Sequence, residues 1–442
     1  MGVPIPSARA IWLAALGLAW PLAAGGGRAG LVALAAWDLA VLLLVLLDRR
    51  RTPAAALLSA ERRLSEPLTA FAPNPVALRL RSEAGRPLRL LLADAPPPRF
   101  DATGHRRALT VPAASAAGPG EIGLDYTVIP RARGRHRFGD LYLRVLGPLG
   151  LSWRAGRLPL GREVSVYPDL HVAPGVADVG LRPEQGREAR TGRSEGREFA
   201  ALRHYLPGDD LRSMDWKATA RRGWPVVREW QPERNQTVWV LLDCGRSLGA
   251  QAGGGRTRLD RAVEAALALA RAAADRGDRT GLILFSSLVE RVVPPGAGLG
   301  RLSALAEALH LAAVRPVEAD HGAAFDELMA RQRRRALVVL FTDLSSPEAT
   351  ALLLARAELL RRRHLVAVAA IADADLIEAA TARPASPEAA LARATAERIL
   401  EEREAAERRL GAAGVAVIHA TAGELSAAVV RRYAAVKERG LL

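Results

Sequence analysis

The chain has 442 residues, half of them hydrophobic, with a single cysteine and a formal net charge of +15. This length and hydrophobic content exclude a disordered chain and favour two or three packed domains. The single cysteine, Cys244, excludes an intramolecular disulfide and a multi-cysteine zinc site, and is typical of a reducing compartment.

The positive charge comes almost entirely from arginine, because Lys217 and Lys437 are the only lysines. Arginine dispersed among alanine and glycine is typical of GC-rich coding, and we find no zinc finger or aromatic RNA-binding pattern. Nucleic acid is therefore not an expected partner. Anionic lipid head groups are the expected electrostatic neighbour.

Two apolar runs open the chain, Ala10–Gly25 and Gly30–Leu47. The second approaches the ~20 residues that cross a bilayer, and Arg49-Arg-Arg51 follows it, as on the cytoplasmic side of a membrane. Because the connection between the runs is short, residues 1–51 are predicted to form a transmembrane hairpin. The bulk of the chain is expected on the cytoplasmic side of this membrane. The alternative for the first run is a cleaved signal peptide.

Asp38 interrupts the second run near the expected centre of the membrane. A carboxylate at this depth costs ~3 kcal/mol on insertion scales. It is interpreted either as a tolerated polar residue facing the partner helix or as a proton or helix-contact site.

Residues 52–170 carry short strand-like runs separated by Gly- and Pro-rich turns, a pattern that predicts an all-β sandwich. The predicted strands are Val76–Arg81, Leu88–Leu92, Arg107–Val111, Ile122–Ile129, His136–Val145 and Val164–Tyr167. We find no catalytic constellation there, so a spacer or docking module is expected.

Residues 237–442 alternate strands with helices, which predicts an α/β doubly wound (Rossmann-like) domain with a parallel sheet. The predicted strands are Thr237–Leu242, Thr280–Phe285, Ala336–Thr342, Leu365–Ile371 and Val415–His419, with Val289–Val293 as an edge hairpin. The predicted helices are Thr257–Arg276, Gly300–Ala313, Pro347–Arg363, Pro387 to about Leu410, and Ala422–Arg439.

Two of the buried strands lead directly into carboxylates, Asp243 and Asp343. Ligands of such sheets bind beyond the carboxyl ends of the strands, so these two side chains are expected to be neighbours.

Residues 171–236 contain a dense set of charged, aromatic and turn residues that we call the signature segment. The candidate interaction residues are Tyr205, Pro207, Gly208, Asp209, Asp210, Arg212, Asp215, Trp216, Lys217 and Arg221. One interpretation is a recognition surface or small-molecule pocket. The other is an ion-pair network that clamps the segment to the first strand of the α/β domain.

These motifs resemble the signature of the bacterial family called domain of unknown function 58. The resemblance rests on Gly196-Arg-Glu-Phe199, Tyr205-Leu-Pro-Gly-Asp-Asp-Leu-Arg212 and Asp215-Trp-Lys-Ala-Thr-Ala-Arg221, followed by the strand Val238–Leu242. It implies a membrane hairpin, an immunoglobulin-like sandwich and then a von Willebrand factor A-like domain. In the sandwich the family usually has an aspartate where Gly147 stands.

The resemblance also implies a metal-ion-dependent adhesion site, built in such domains from Asp-x-Ser-x-Ser, a threonine and a second aspartate. This chain keeps Asp243, Ser247 and Asp343, while Gly245 replaces the first serine and Asp320 lies where the threonine is expected. Since glycine offers no oxygen to a hard cation, a degenerate site is expected, with Mg²⁺ the only cofactor considered.

For function, the resemblance implies a membrane-anchored, non-catalytic adaptor that works with a MoxR-type AAA+ ATPase on a client protein or complex. The alternatives are a membrane-associated enzyme using Cys244 or the Asp209–Asp215 cluster, and a nucleic-acid binder. The sequence is interpreted as lacking a serine-hydrolase elbow, a zinc motif and a phosphate loop, so neither catalysis nor a small-molecule substrate is expected. Cys244 is interpreted as inert rather than as a reactive thiol at a helix N-terminus.

Overall fold

The computed structural model describes residues 5–23, 27–116, 118–169, 197–206, 209, 211, 214–232, 235–344 and 347–442. For 197–201, 228–232 and 347–349 it describes the backbone alone. The chain divides into two compact units, Met1–Tyr167 and Pro168–Leu442. The broad prediction of several domains, with an N-terminal apolar helix and a sheet-rich region, is confirmed.

The first unit combines an apolar helical segment with short strands. Its elements in chain order are β1 (Ile5–Pro6), α1 (Ala8–Leu16), α2 (Ala19–Ala23), α3 (Arg28–Arg51), β2 (Leu58–Leu64), β3 (Leu68–Thr69), β4 (Asn74–Ser82), β5 (Leu88–Ala93), β6 (Phe100–Thr103), β7 (Arg106–Val111), β8 (Gly120–Pro130), β9 (Gly134–Phe138), β10 (Leu141–Leu146), β11 (Ser152–Leu158) and β12 (Arg162–Tyr167).

The two apolar runs of the sequence fold back on each other. Helix α3 is long and apolar enough to cross a membrane, whereas α1 and α2 are shorter. The indole Nε1 of Trp37 donates to the carbonyl of Leu13 at 2.8 Å, and a Cβ on Gly17 would lie 2.5 Å from Trp37 Cδ1. Trp37 therefore packs against the first run. Asp38, expected to face that run, is exposed instead.

The strands form three antiparallel or mixed sheets, ordered β1-β11-β10-β5-β7, β2-β4-β8-β6 and β3-β12-β9. Alternation along β4 and β5 buries every second residue, as in a sheet with one buried face. Leu78 and Leu80 from the four-stranded sheet share a core with Leu90 and Leu143 from the five-stranded sheet. The two sheets therefore face each other across a hydrophobic layer.

Both ends of the helical segment are attached to the five-stranded sheet. At the first end β1 pairs with β11, and the Ser7 hydroxyl donates to the carbonyl of Gly150. At the other end Asp48, in the last turns of α3, is fully buried. Its carboxylate accepts hydrogen bonds from the backbone N–H groups of Leu149, Leu151 and Ser152 at 2.7–2.9 Å, and from the Ser152 hydroxyl at 3.0 Å. Four donors offset the desolvation of this charge.

Asp48 also explains why this chain has glycine at position 147. A Cβ on Gly147 would lie 2.1 Å from Asp48 Oδ2, so no side chain fits there. The backbone N–H groups of this loop therefore bind a carboxylate supplied by the helix.

A second buried charge pair lies inside the β-rich part. Arg62 and Asp94 are both almost fully buried, and Arg62 Nε donates to Asp94 Oδ2 at 2.9 Å. The remaining guanidinium donors reach the carbonyls of Leu160 and Gly139, while the Tyr126 hydroxyl donates to Asp94. Burial, and then the Asp94 charge, raise the pKa of Tyr126 well above its usual range. The hydroxyl therefore stays a donor.

We predict that Arg62→Met destabilises the full chain by about 3–5 kcal/mol, because it leaves the Asp94 charge buried with its main partner removed. Urea unfolding followed by hydrogen exchange in β4 and β8 measures this. The control is Arg63→Met, the next residue on the same strand, whose side chain is half exposed. Equal stability of the two variants would contradict the account.

The second unit begins with a paired-strand segment and continues as an α/β domain. Its elements are β13 (Arg197–His204), α4 (Trp216–Arg222), β14 (Val226–Pro232), β15 (Thr237–Asp243), α5 (Arg258–Asp275), β16 (Arg279–Phe285), β17 (Val289–Gly296), α6 (Leu299–His310), α7 (His321–Arg331), β18 (Leu337–Phe341), α8 (Pro347–Arg361), β19 (Leu365–Ile371), α9 (Ala374–Thr381), α10 (Pro387–Ala412), β20 (Ala416–Ala420) and α11 (Leu425–Glu438).

Six of these strands form one sheet in the order β17-β16-β15-β18-β19-β20. All neighbours are parallel except β17, which is the antiparallel edge strand. Successive residues of β15, β18 and β19 are buried, so both faces are covered. The predicted parallel sheet with an edge hairpin is confirmed.

Several elements of the chain differ from the sequence prediction. The single strand predicted over His136–Val145 is two strands, β9 and β10. Strands β2, β6 and β11 and helices α7 and α9 were not predicted. Helices α7 and α9 each begin after an aspartate whose side chain caps the first turn, Asp320 and Asp373. These caps are the local signal that the sequence analysis did not use.

Candidate functional site at the carboxyl edge of the sheet

Asp243 ends β15 and is 1% exposed. Its Oδ1 accepts a hydrogen bond from Gly245 N at 2.6 Å, and its Oδ2 accepts one from Thr342 Oγ1 at 2.7 Å. Thr342 follows β18, which pairs directly with β15, so the register brings the two residues together. Both carboxylate oxygens of Asp243 are thus engaged within the edge.

His321, the first residue of α7, completes this buried group. Its Nε2 lies 3.0 Å from Thr342 Oγ1 and 3.9 Å from Asp243 Oδ2. Because Thr342 donates its proton to Asp243, its oxygen accepts from a protonated Nε2 of His321. Burial raises the pKa of Asp243 and lowers the pKa of His321. Desolvation therefore outweighs their mutual attraction.

Asp343, on the neighbouring strand end, is surrounded by arginine. Its Oδ2 lies 2.7 Å from Arg258 Nη1, and its two oxygens lie 3.3 and 3.4 Å from Arg403 Nη2. The other terminal nitrogen of Arg258 pairs with Asp373, which follows β19. The side chains of Asp343, Arg258 and Arg403 are 6–7% exposed. We call Asp343, Arg258, Asp373 and Arg403 the edge network.

The start of helix α5 places Arg258 in this network. Thr257 caps the helix in a capping box with Asp260, and Arg258 N donates to the carbonyl of Ala250 at 2.8 Å. A cation in the first turn opposes the helix dipole. Two carboxylates from the neighbouring strand ends offset that repulsion, so the network holds α5 against the edge.

The predicted metal ligands reach the same edge with different roles. Asp320 Oδ1 accepts a hydrogen bond from Ala323 N at 3.2 Å and caps α7. Ser247 is half-buried in a 3₁₀ turn, Arg246–Gly249. A Cβ on Gly245 would lie 2.9 Å from Asp243 Oδ1 and 3.0 Å from Val317 O. The serine of an intact adhesion motif is therefore sterically disfavoured at position 245.

This donor set does not fit Mg²⁺. A hard cation needs several free oxygens, and the guanidinium groups of Arg258 and Arg403 already supply positive charge at Asp343. Among the described residues, no group of three or more His, Cys, Asp or Glu side chains is arranged so that it could hold a metal ion.

Two nucleophile candidates lie beside Asp243. Cys244 is fully buried, and its sulfur lies 3.8 Å from the carbonyl of Leu242, so solvent does not reach the thiol. Contrary to the sequence analysis, the spacing Gly-x-Ser-x-Gly does occur, at Gly245–Gly249. Ser247 lies in the 3₁₀ turn, and α5 begins only at Arg258. In the nucleophile elbow of a hydrolase the serine lies on a turn that leads directly from a strand into a helix, so the surroundings of Ser247 do not match such an elbow.

The described part of the signature segment contains a pair of strands with a helix in the connection between them. Strand β13 pairs antiparallel with β14, and α4 lies in the connection between them. Arg203 binds Asp209 through two hydrogen bonds of 2.7 Å, and this contact lowers the pKa of the Asp209 carboxyl. Asp215 caps α4 by accepting from Lys217 N and Ala218 N. These contacts lie within the segment, whereas the sequence analysis offered a clamp onto β15.

The remaining signature residues divide into exposed and undescribed positions. Lys217 and Arg221 are exposed, and Tyr205 is half-buried. Pro207, Gly208, Asp210 and Arg212 lie outside the described residues.

His204 and Val226 pair at the end of the two strands, and the connection between them carries exposed large apolar side chains. Trp216 is 67% exposed, Leu206 60%, Leu211 61% and Trp224 46%. The Trp224 ring stacks on His204 with 5.4 Å between ring centroids. We call these four apolar residues the signature tip.

Five residues that build the edge were not predicted from the sequence, namely Thr342, His321, Arg258, Asp373 and Arg403. Asp373 carries the same signal as Asp343, an aspartate shortly after a buried strand. Thr342 is adjacent to Asp343 in the sequence. Arg258 and Arg403 carry no local signal, since they lie 85 and 60 residues from Asp343.

We predict that Arg258→Met destabilises the second unit by about 3–5 kcal/mol, because Asp343 and Asp373 lose a shared buried partner. Hydrogen exchange of β15 and β18 in the full chain under increasing urea measures the change. Arg271→Met removes an exposed arginine from the same helix and serves as the matched control. The same exchange rates in both variants would contradict a structural role for the edge network.

Part of the second unit is similar to a known protein family. Residues 201–407 match the family model described as Protein of unknown function DUF58. An uncharacterized protein of Mycobacterium tuberculosis is 31% identical over 154 residues, which cover 34% of this chain and 48% of that protein. The uncharacterized protein YeaD of Bacillus subtilis is 27% identical over 130 residues, covering 27% of this chain and 30% of YeaD. The chain thus spans about half the length of the mycobacterial relative.

A solved structure, the FixG-related protein from Vibrio parahaemolyticus, covers 25% of this chain and 96% of its own at 6% identity. Its TM-score of 0.18 is too low to carry a conclusion on fold.

Proposed function

We infer, from the premise that this chain carries a DUF58 family domain in residues 201–407, that it is a membrane-anchored, non-catalytic adaptor protein. On this proposal the first unit contains an immunoglobulin-like sandwich and the six-stranded sheet belongs to a von Willebrand factor A-like domain. The parallel sheet with one antiparallel edge strand and helix-covered faces supports the second assignment.

The signature tip is the observation that carries the proposal. Two tryptophans and two leucines of the connection 205–225 are each at least 46% exposed. Exposed large apolar side chains are typical of interaction sites, and tryptophan is enriched at interface hot spots. The charged residues around them, Asp209, Asp215, Lys217 and Arg221, would form the polar rim of that interface.

The edge of the sheet supports a binding role without catalysis or metal. Asp243 and Asp343 are buried and partnered, and Cys244 is shielded from solvent. A reaction centre needs groups that reach a substrate, and a metal-dependent docking site needs free oxygens. The edge network instead acts as a structural support of the α/β domain.

The N-terminal segment supports anchoring in the bacterial inner membrane with the bulk of the chain in the cytoplasm. Helix α3 has the length and composition to span, and Arg49, Arg50 and Arg51 follow its apolar part. Retention of the first apolar run is favoured over cleavage, because β1 precedes that run and pairs with β11. A signal peptidase would remove this strand.

The proposed partner is a MoxR-type AAA+ ATPase, which the family resemblance implies, together with a client protein or complex. The ATPase would supply the energy, and this chain would hold it at the membrane beside the client. Nucleic acid and small-molecule substrates are not expected.

We predict that Trp216→Ala with Trp224→Ala weakens binding of the MoxR-type ATPase from the same organism by about tenfold or more, since truncating a hot-spot tryptophan costs ~2 kcal/mol. The Kd is measured by biolayer interferometry with the full chain in lipid nanodiscs. Leu352→Ala with Leu359→Ala removes two exposed leucines from α8 and is the control. An unchanged Kd, or no binding by the unaltered chain, would refute the proposal.

A further inference from the structure

A groove of about 660 Å³ opens in the second unit, between α9, α10 and the residues that follow β15. Leu376 lines it from α9, Leu391, Ala396 and Ile399 line it from α10, and Gln251 lines it from the loop. The groove is separate in sequence from the signature tip, and the function proposed above makes no use of it.

The α10 wall of the groove carries a mostly apolar stripe. Leu391, Thr395 and Ile399 recur every four residues and therefore lie on one helix face. Leu391 is 71% exposed, although α10 is otherwise a largely polar surface helix. Leu376 adds a half-buried side chain on the opposite wall.

The rim of the groove is acidic in a chain whose net charge is +15. Its charged lining residues are Asp373, Asp375 and Glu388. Arg258 neutralises Asp373 within the edge network, whereas Asp375 and Glu388 are exposed. Backbone and Ser386 hydrogen bonds lower the pKa of Glu388, so it is ionised at neutral pH. Arg393, on the same helix, pairs with Glu397 and is not among the groove's lining residues.

We propose that this groove binds a basic amphipathic helix of a partner protein. Apolar side chains of that helix would lie on Leu391, Ile399 and Leu376, with lysine or arginine on its flanks meeting Asp375 and Glu388. From Glu388 to Ile399 the wall is about 16 Å long, which accommodates roughly three turns of a docked helix. The acidic rim disfavours phosphate, so lipid head groups and nucleic acid are not the ligands.

The test is a selection from a displayed library of random 16-residue peptides. The target is the full chain in nanodiscs of neutral lipid, and empty nanodiscs are used to remove peptides that bind lipid. Peptides enriched on the chain are expected to carry Leu, Ile or Phe at helical spacing between Lys or Arg residues. No enrichment, or enrichment of acidic or uncharged peptides, would overturn the proposal.

The enriched peptides are then titrated against variants. Asp375→Asn with Glu388→Gln, or Leu391→Ser alone, is expected to raise Kd about tenfold or more. Glu401→Gln with Glu404→Gln removes the same amount of charge from α10 outside the groove and is expected to leave Kd unchanged. Equal binding by the groove variants, with helix content unchanged by circular dichroism, would also overturn the proposal.

The two proposed surfaces are distinguished by one further variant. Trp216→Ala with Trp224→Ala is expected to bind the peptides as the unaltered chain does. Loss of peptide binding in this variant would place the peptides on the signature tip and contradict the groove. Failure of ATPase binding would leave the peptide result standing.

Discussion

Arg258 is the residue on which the carboxyl edge of the sheet depends. Its guanidinium group joins Asp343 after β18 to Asp373 after β19, and its backbone begins α5. A rigid planar fork with several donors can hold two carboxylates at once, which lysine cannot do as well. Arg403 adds a second guanidinium at Asp343. The edge where α/β proteins usually bind ligands is here closed by side chains of the chain itself.

The ion pairs that close this edge also fix the positions of neighbouring helices. Asp373 caps α9, so the arginine that neutralises the edge also fixes one wall of the acidic groove. In the first unit Asp48 has a comparable role, because its buried carboxylate joins the end of α3 to the turn around Gly147. In both units a buried charge held by several hydrogen bonds sets the position of a helix, and breaking such a pair is far more destabilising than loss of an exposed one.

The sequence predicts the elements whose burial pattern is strong and misses those fixed by distant contacts. Continuous apolar strands such as Thr237–Asp243 and Leu365–Ile371 were located within a residue or two, because a strand buried on both faces has little ambiguity. The position of Asp243 beside the end of β18 followed from the parallel register. The partners of Asp343 could not be predicted in this way, because ion pairs between residues 60 or more positions apart produce no periodic pattern in the sequence. For the same reason the sequence does not predict the role of Asp48, whose partners lie about a hundred residues away.

Titration calorimetry of Mg²⁺ into the full chain in neutral nanodiscs tests the central claim most directly, with Asp343→Asn compared under the same conditions. If Arg258 and Arg403 close the edge, the unaltered chain gives no binding heat that depends on Asp343. A stoichiometric heat abolished by Asp343→Asn would show that a cation enters this edge, and would contradict the account.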